Sequence, residues 1–366
     1  MFLALRELRY ARLRYLMIGA IITLVAWLVF LLSGLANGLA NDSAAAIKNM
    51  SADALVFEQG SQLLLQRSTL PATLVAQVGA VPGVSAATPL GESTITMQRG
   101  AGGDRLAATL LAIDPSGFLA PPVVAGQALR DAPTGGVVVD RSLERNGVRL
   151  GDTLTVQPGG ASLTVTGFTS GRTYSHMPVI YAPLALWRSL HIAGASPSDT
   201  ISAVAIQGDA SARSRIAATI PGVHVGSRAA VVQALPGFKE ESGSLAMIEG
   251  FLVVIAAFII AAFFYVLTLQ KTAQFGALKA LGARSSVLGR DLLGQVLLLT
   301  VAGLSVGALL AFGAARIIPN SVPFLLEMRL IALYGGVLLG VAILGSLLSL
   351  RRIAGIDALT AIGRAD

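Results

Sequence analysis

Few residues in this sequence are suited to chemistry, and one acid stands out by its position. Glu249 sits at the mouth of an uncharged run that continues to Lys271, with Met247 and Phe251 beside it and Glu240 and Glu241 just upstream. An ionisable group at the edge of a lipid-crossing segment costs free energy to keep there, which makes it a default site for binding or transfer. The plainer alternative is that Glu249 marks the membrane boundary next to a solvated hinge. The three histidines, His176, His191 and His224, lie far apart and none has a ligand partner three or four residues on. They read as structural or solvent-facing residues rather than as metal ligands or catalytic bases. The sequence contains no G-x-S-x-G elbow and no H-E-x-x-H helix, so nothing supports a membrane-anchored enzyme. It contains no cysteine, which excludes disulfide scaffolds, thiolate metal sites and cysteine nucleophiles. The four lysines, Lys48, Lys239, Lys271 and Lys279, never follow a glycine. A G-x-x-x-x-G-K-[ST] phosphate loop is therefore missing, and this chain does not hydrolyse ATP itself.

The elements that must position Glu249 are membrane spans. Of 366 residues, 54% are hydrophobic and only 13% charged, about half the charge of a soluble chain. Four uncharged runs, between Arg14 and Asp42, Glu249 and Lys271, Asp291 and Arg316, and Arg329 and Arg351, are each long enough for a hydrocarbon core of about 30 Å. Segments follow at 1–14 (amphipathic N-terminus), 15–41 (span one), 42–240 (inserted domain), 246–270 (span two), 271–290 (connecting segment), 292–315 (span three), 316–329 (short loop), 330–350 (span four) and 351–366 (tail). The uncharged stretch 68–91 is not a span, because Pro71, Pro82 and Pro89 interrupt it. Gly38–Leu39–Ala40 would suit a signal-peptide cleavage site, but the first apolar run exceeds the 7–15 residues of a signal core, and a retained anchor is expected.

Basic residues set the orientation. Arg6, Arg9, Arg12 and Arg14 precede span one, the 271–290 segment carries Lys271, Lys279, Arg284 and Arg290 without an acid, and the tail carries Arg351, Arg352 and Arg364. Residues 42–241 hold 14 basic and 14 acidic side chains. Both termini and 271–290 are therefore expected in the cytoplasm, and 42–240 outside. The interspersed charges of that domain form no basic stripe, so no nucleic-acid partner is expected.

The inserted domain reads as α+β. Short strands are expected at 54–57, 94–97, 106–113, 137–139, 153–156, 163–168, 179–181, 201–206 and 223–225. Helices are expected at 71–81, 183–190 and 211–220, with a short one at 140–146 stopped by Gly147. The fold class is thus a membrane α-helical protein of four transmembrane helices, with a large α+β extracellular domain between helices 1 and 2. The pairs Gly34/Gly38, Gly303/Gly307 and Gly336/Gly340 permit close helix approach.

The span order and three motifs resemble the FtsX/MacB family of ABC-transporter permeases. Residues 274–283, QFGALKALGA, are similar to the family's E-[ILF]-G-x-L-[RK]-A-x-G-A segment, with Gln274 where glutamate is usual. The tail 355–362, GIDALTAI, is similar to its D-P-x-x-A-L ending, with Ala358 in place of proline. Residues 137–156 resemble its V-S-x-x-L-A-x-x-x-G-x-x-x-G-D-x-L-x-V stretch through Gly147, Gly151 and Asp152, and 173–181 look most like the haem-efflux (HrtB-type) group.

The resemblance implies a permease subunit that couples ATP hydrolysis by a separate ABC ATPase, present in two copies, to export of an amphipathic molecule, haem above all. It implies no intrinsic cofactor, ATP held by the partner alone, a cell-membrane location and a homodimer of this chain. Gln274, Phe275, Gly276, Leu278, Lys279 and Gly282 would form the ATPase-coupling helix, with Lys271, Lys279, Arg284 and Arg290 as its charged side. For haem, Glu249 would be the axial iron ligand, Met247 a neighbouring soft ligand and Phe251 a flank to the porphyrin, with Asn37 and Asn41 at the outer end of span one. The alternative is a non-transporting transmitter that controls an extracellular cell-wall hydrolase.

Overall fold

The computed structural model describes residues 12–100, 103–190, 199–271, 274, 276, 278, 281, 285–319 and 322–354. The chain divides into two compact units, residues 1–38 with 243–366, and residues 39–242.

The first unit is a helix bundle. Its helices are α1 (Arg12–Lys48), α6 (Phe238–Gln270), α7 (Ser285–Ile317) and α8 (Met328–Ala354), with the shorter α2–α5 falling in the other unit. All four are long and apolar enough to cross a membrane. Buried residues recur at helical spacing: Ile22, Ala26, Val29 and Phe30 on α1, Ile260, Phe264 and Leu267 on α6, Val296 and Leu299 on α7, Leu338 and Ala342 on α8. Glycine sets the closest approaches. A Cβ on Gly303 would lie 2.7 Å from Ile22 Cγ2, and one on Gly307 would lie 3.0 Å from Ala26 Cβ, so α1 and α7 pack backbone to backbone. Gly34 and Gly38 serve a loop instead of a helix, receiving the Phe324 ring and the Pro323 carbonyl. Among the described residues, nothing lies within 4 Å of a Cβ on Gly336 or Gly340.

The second unit is built on a mixed sheet. Its strands are β1 (Ala54–Glu58), β2 (Leu70–Pro71), β3 (Val84–Arg99), β4 (Arg105–Ile113), β5 (Ala125–Gly126), β6 (Gly136–Asp140), β7 (Thr153–Gln157), β8 (Ser162–Thr169), β9 (Thr173–Tyr174), β10 (Met177–Pro183), β11 (Thr200–Ile201), β12 (Ala203–Gly208) and β13 (Val223–Ser227). The order is β13-β1-β12-β3-β4-β10-β6-β8-β5, with β7 and β9 off this path and β2 paired with β11. Short helices α2 (Leu74–Gly79), α3 (Leu184–Ser189), α4 (Ala210–Thr219) and α5 (Arg228–Ala234) accompany it.

Strand β3 joins the two halves of the sheet. Residues 84–90 pair with β12 and residues 91–98 pair with β4. Pro89, one of the prolines that exclude a span at 68–91, lies inside this sixteen-residue strand. Gly91 sits at the change of partner, and a Cβ there would lie 2.8 Å from the Trp187 ring. Trp187 is fully buried and its indole N–H donates to Ser93 Oγ at 2.8 Å.

The turn at 140–146 forms as a 3₁₀ helix, Arg141–Asn146, ending on Gly147 at φ 77°. Asp140 holds it, accepting from Ser142 N at 2.8 Å and from Arg172 N at 2.7 Å. The last carbonyl of α1 and one just beyond it are satisfied from far along the chain, since Arg228 Nη1 donates to Lys48 O at 3.2 Å and Met50 O at 2.9 Å.

Candidate functional site

Glu249 lies early in α6 and is half-buried. Its Oε1 is buried without a hydrogen-bond partner among the described residues. The Tyr334 hydroxyl of α8 faces this carboxylate and also the Ser33 hydroxyl of α1. Three helices thus bring a carboxylate, a phenol and an alcohol together inside the bundle. A buried carboxylate oxygen without a donor is costly, and together with the Ser33 hydroxyl, also buried without a partner among the described residues, it leaves acceptor capacity inside the bundle unused.

Met247 and Phe251 are placed elsewhere. One helical turn separates them, so they share a face, while Glu249, two residues from each, points to the opposite side. They are 61% and 62% exposed and continue a stripe with Val254 and Phe258. Within one chain the structure does not bring the three together. Asn37 is engaged by the α7–α8 loop, donating from Nδ2 to Leu325 O at 3.2 Å and to Glu327 Oε1 at 3.4 Å, while Leu325 N donates to Gly34 O at 2.9 Å. Asn41 is half-buried and belongs to the other unit. No group of three or more His, Cys, Asp or Glu able to hold a metal ion occurs among the described residues.

At the other end of the bundle, Gln274 is exposed, Gly276 buried and Leu278 half-buried, each in helical conformation. Phe275, Lys279 and Gly282 lie outside the described residues, as do Arg284 and the 355–362 motif. Lys271 differs from expectation. It is 3% exposed and turned into the bundle, so it adds no charge to an outer face of the connecting segment. The reason is a set of partners on other helices, with Gln295 of α7 at its centre.

Of the histidines, His176 takes a structural role. His176 and Ser175 form the β9–β10 turn, at φ 61° and 50°, left-handed values that glycine or asparagine adopts more readily. The His176 Nε2 lies 2.8 Å from Ser43 Oγ and 3.4 Å from Glu241 Oε2, while Nδ1 lies 3.3 Å from Asp42 Oδ2. The Ser43–His176–Asp42 geometry imitates a hydrolase triad, but Ser43 is 4% exposed and its hydroxyl also donates to Leu39 O at 3.3 Å. No substrate carbonyl reaches it, so the cluster is a clamp between the hairpin tip and the ends of two helices. With partners 133 and 65 positions away, sequence spacing carried no sign of it.

Four helices able to cross a membrane and a folded domain between the first two define a multi-pass membrane protein. Residues 246–358 match the family of FtsX-like permease C-terminal domains, so the chain carries an FtsX-like permease domain and is similar over its whole length to ABC-transporter permeases. It is 28% identical over 367 residues to a protein named as the hemin transport system permease HrtB of Staphylococcus haemolyticus, with 99% of each chain covered. It is 27% identical to an uncharacterized ABC transporter permease of Mycobacterium bovis, again over 99% of each chain. Among solved structures it is similar to the periplasmic region of MacB from Actinobacillus actinomycetemcomitans, at 16% identity and a TM-score of 0.37, covering 51% of this chain and 94% of that one.

Proposed function

We propose that this chain is the membrane subunit of a haem exporter, driven by a separate ABC ATPase. In this reading both termini and residues 271–290 face the cytoplasm, residues 42–240 lie outside, and two copies pair with two ATPase subunits. Residues 274–282 receive the ATPase movement. The observation that carries the reading is the Glu249 carboxylate, held by α6 opposite Tyr334 and Ser33 with Oε1 lacking a donor. An anionic oxygen in apolar surroundings suits a ferric iron, whose positive charge offsets the carboxylate's desolvation. Full-length similarity to a hemin permease favours export over the transmitter alternative.

The test is an absorption titration of the purified chain with haemin, wild type beside Glu249→Ala. Export through Glu249 requires a saturable Soret shift at one haemin per two chains that disappears in the variant. An unchanged shift in Glu249→Ala removes Glu249 as ligand, and no saturable shift in either chain removes haem as cargo.

A further inference from the structure

Lysines at the ends of membrane helices ordinarily extend to the aqueous boundary. Lys271, which follows α6 directly, does the reverse. Its ammonium donates to Gln295 Oε1 at 2.6 Å and lies 5.7 Å from the centre of the Tyr15 ring. The Tyr15 hydroxyl donates to the same Gln295 oxygen at 3.2 Å, and Gln295 Nε2 donates to Asp291 Oδ2 at 3.1 Å. Lys271, Gln295 and Tyr15 are all 5% exposed or less.

The choice of glutamine is informative. One amide oxygen accepts from two donors on two other helix segments, and the amide nitrogen of the same group holds a carboxylate one turn away on α7. A glutamate would repel Asp291, and a leucine would remove the acceptor that the two buried donors share. Gln295 therefore ties the start of α1, the end of α6 and the start of α7 into one knot. Thr268, one turn before Lys271 and also buried, donates back to Phe264 O at 2.7 Å.

We infer that Lys271 is a positioning residue that fastens the end of α6 to α1 and α7 through Gln295, so that displacement arriving at the end of α6 is passed to the other spans. This rests on the reading that residues 274–282 receive movement from an ATPase. A buried, charge-assisted hydrogen bond of fixed length transmits displacement, where an exposed lysine on a flexible stem would absorb it.

The absence of cysteine gives a clean test. The full chain, assembled with its ATPase subunit in lipid nanodiscs, carries a nitroxide either at Leu281→Cys in the segment or at Leu16→Cys on α1, positions 85% and 68% exposed. With Lys271 intact, ATP is expected to change both spectra. In Lys271→Met the change at 281 persists and the change at 16 is lost. Gln295→Leu, which leaves the segment untouched, gives the same split, and Lys271→Arg restores the response at 16. A surviving ATP response at 16 in Lys271→Met and Gln295→Leu overturns the inference. So does loss of both responses in both variants, which marks a merely structural role, and so does an intact chain that responds at neither site. Haemin stimulation of ATP hydrolysis, measured on the unlabelled complex, is a separate arm: its absence removes the cargo reading and leaves the label pattern to decide this one.

Discussion

Replacing Glu92 with glutamine tests how the inserted domain tolerates a buried acid. Glu92 lies on β3, 2% exposed, with Oε1 lacking a hydrogen-bond partner among the described residues. Burial pushes its pKa up from the ordinary 4.5 to about 7, against a smaller opposing effect of the Thr94 hydroxyl. The folded domain thus holds this proton more tightly than the unfolded chain does. The stabilisation is fully present below pH 4.5 and is lost as pH rises through 7. The gap between 4.5 and about 7 corresponds to about 3 kcal/mol, at roughly 1.4 kcal/mol per pKa unit. Glu92→Gln keeps the shape of the protonated acid and removes the titration. It should match wild type near pH 4 and exceed it by up to about 3 kcal/mol at pH 8. Trp187, bonded to Ser93 next door, reports the transition in a Trp27→Phe background, which leaves it the sole tryptophan. With a urea slope of about 2 kcal/mol per molar, the midpoint should move up by about 1.5 M at pH 8. Equal midpoints at pH 8, or a wild-type midpoint that rises between pH 5 and 8, would refute the reasoning.

Three further outcomes follow from packing and hydrogen bonding. Asp140→Ala strips the acceptor from Ser142 N and Arg172 N and should lower the urea stability of the inserted domain by about 2–3 kcal/mol. Gly303→Val drives a side chain into Ile22; a cost of about 1–3 kcal/mol is expected, read as a lower unfolding temperature of the bundle in detergent. His176→Ala removes the clamp on Asp42, Ser43 and Glu241. Because the site is half-exposed, the cost should stay near ~1 kcal/mol, with faster hydrogen exchange at 173–178 and unchanged exchange in β4.

Spans and inserted domain were legible because each depends on a local property. An uncharged run of the right length has few alternatives to a membrane helix, and Gly147 ends its turn at a positive φ that the sequence could announce. Position along a span is legible too, which is why Glu249 drew attention. The direction a side chain takes is another matter. Lys271 looks like any boundary lysine until Gln295, twenty-four positions on, is known to accept from it. Met247 and Phe251 are adjacent to Glu249 in sequence, yet a helix puts them on the opposite face. Strand β3 runs over Val84–Arg99 where only 94–97 was expected, because its first half is held by β12, far along the chain. The strand carries the proline near its change of partner, where ladder demands are lowest.

The pairing of β1 sets a schedule for making this protein. Residues 54–58 are among the first of the domain to be synthesised, yet their neighbours are β12 and β13, up to residue 227. At about 5–20 residues per second, the ribosome needs roughly 10–30 s to deliver those partners. Through that interval α1 stands in the bilayer without α6, α7 or α8, and a strand of Ala, Leu, Val and Phe waits unpaired. The last strand, ending at Ser227, is separated from the start of α6 at Phe238 only by the short helix α5 and a turn. Biogenesis therefore depends on whatever shields an exposed strand at the translocation exit, and substitutions that slow β12–β13 formation should reduce protein yield more than they reduce the stability of the finished molecule.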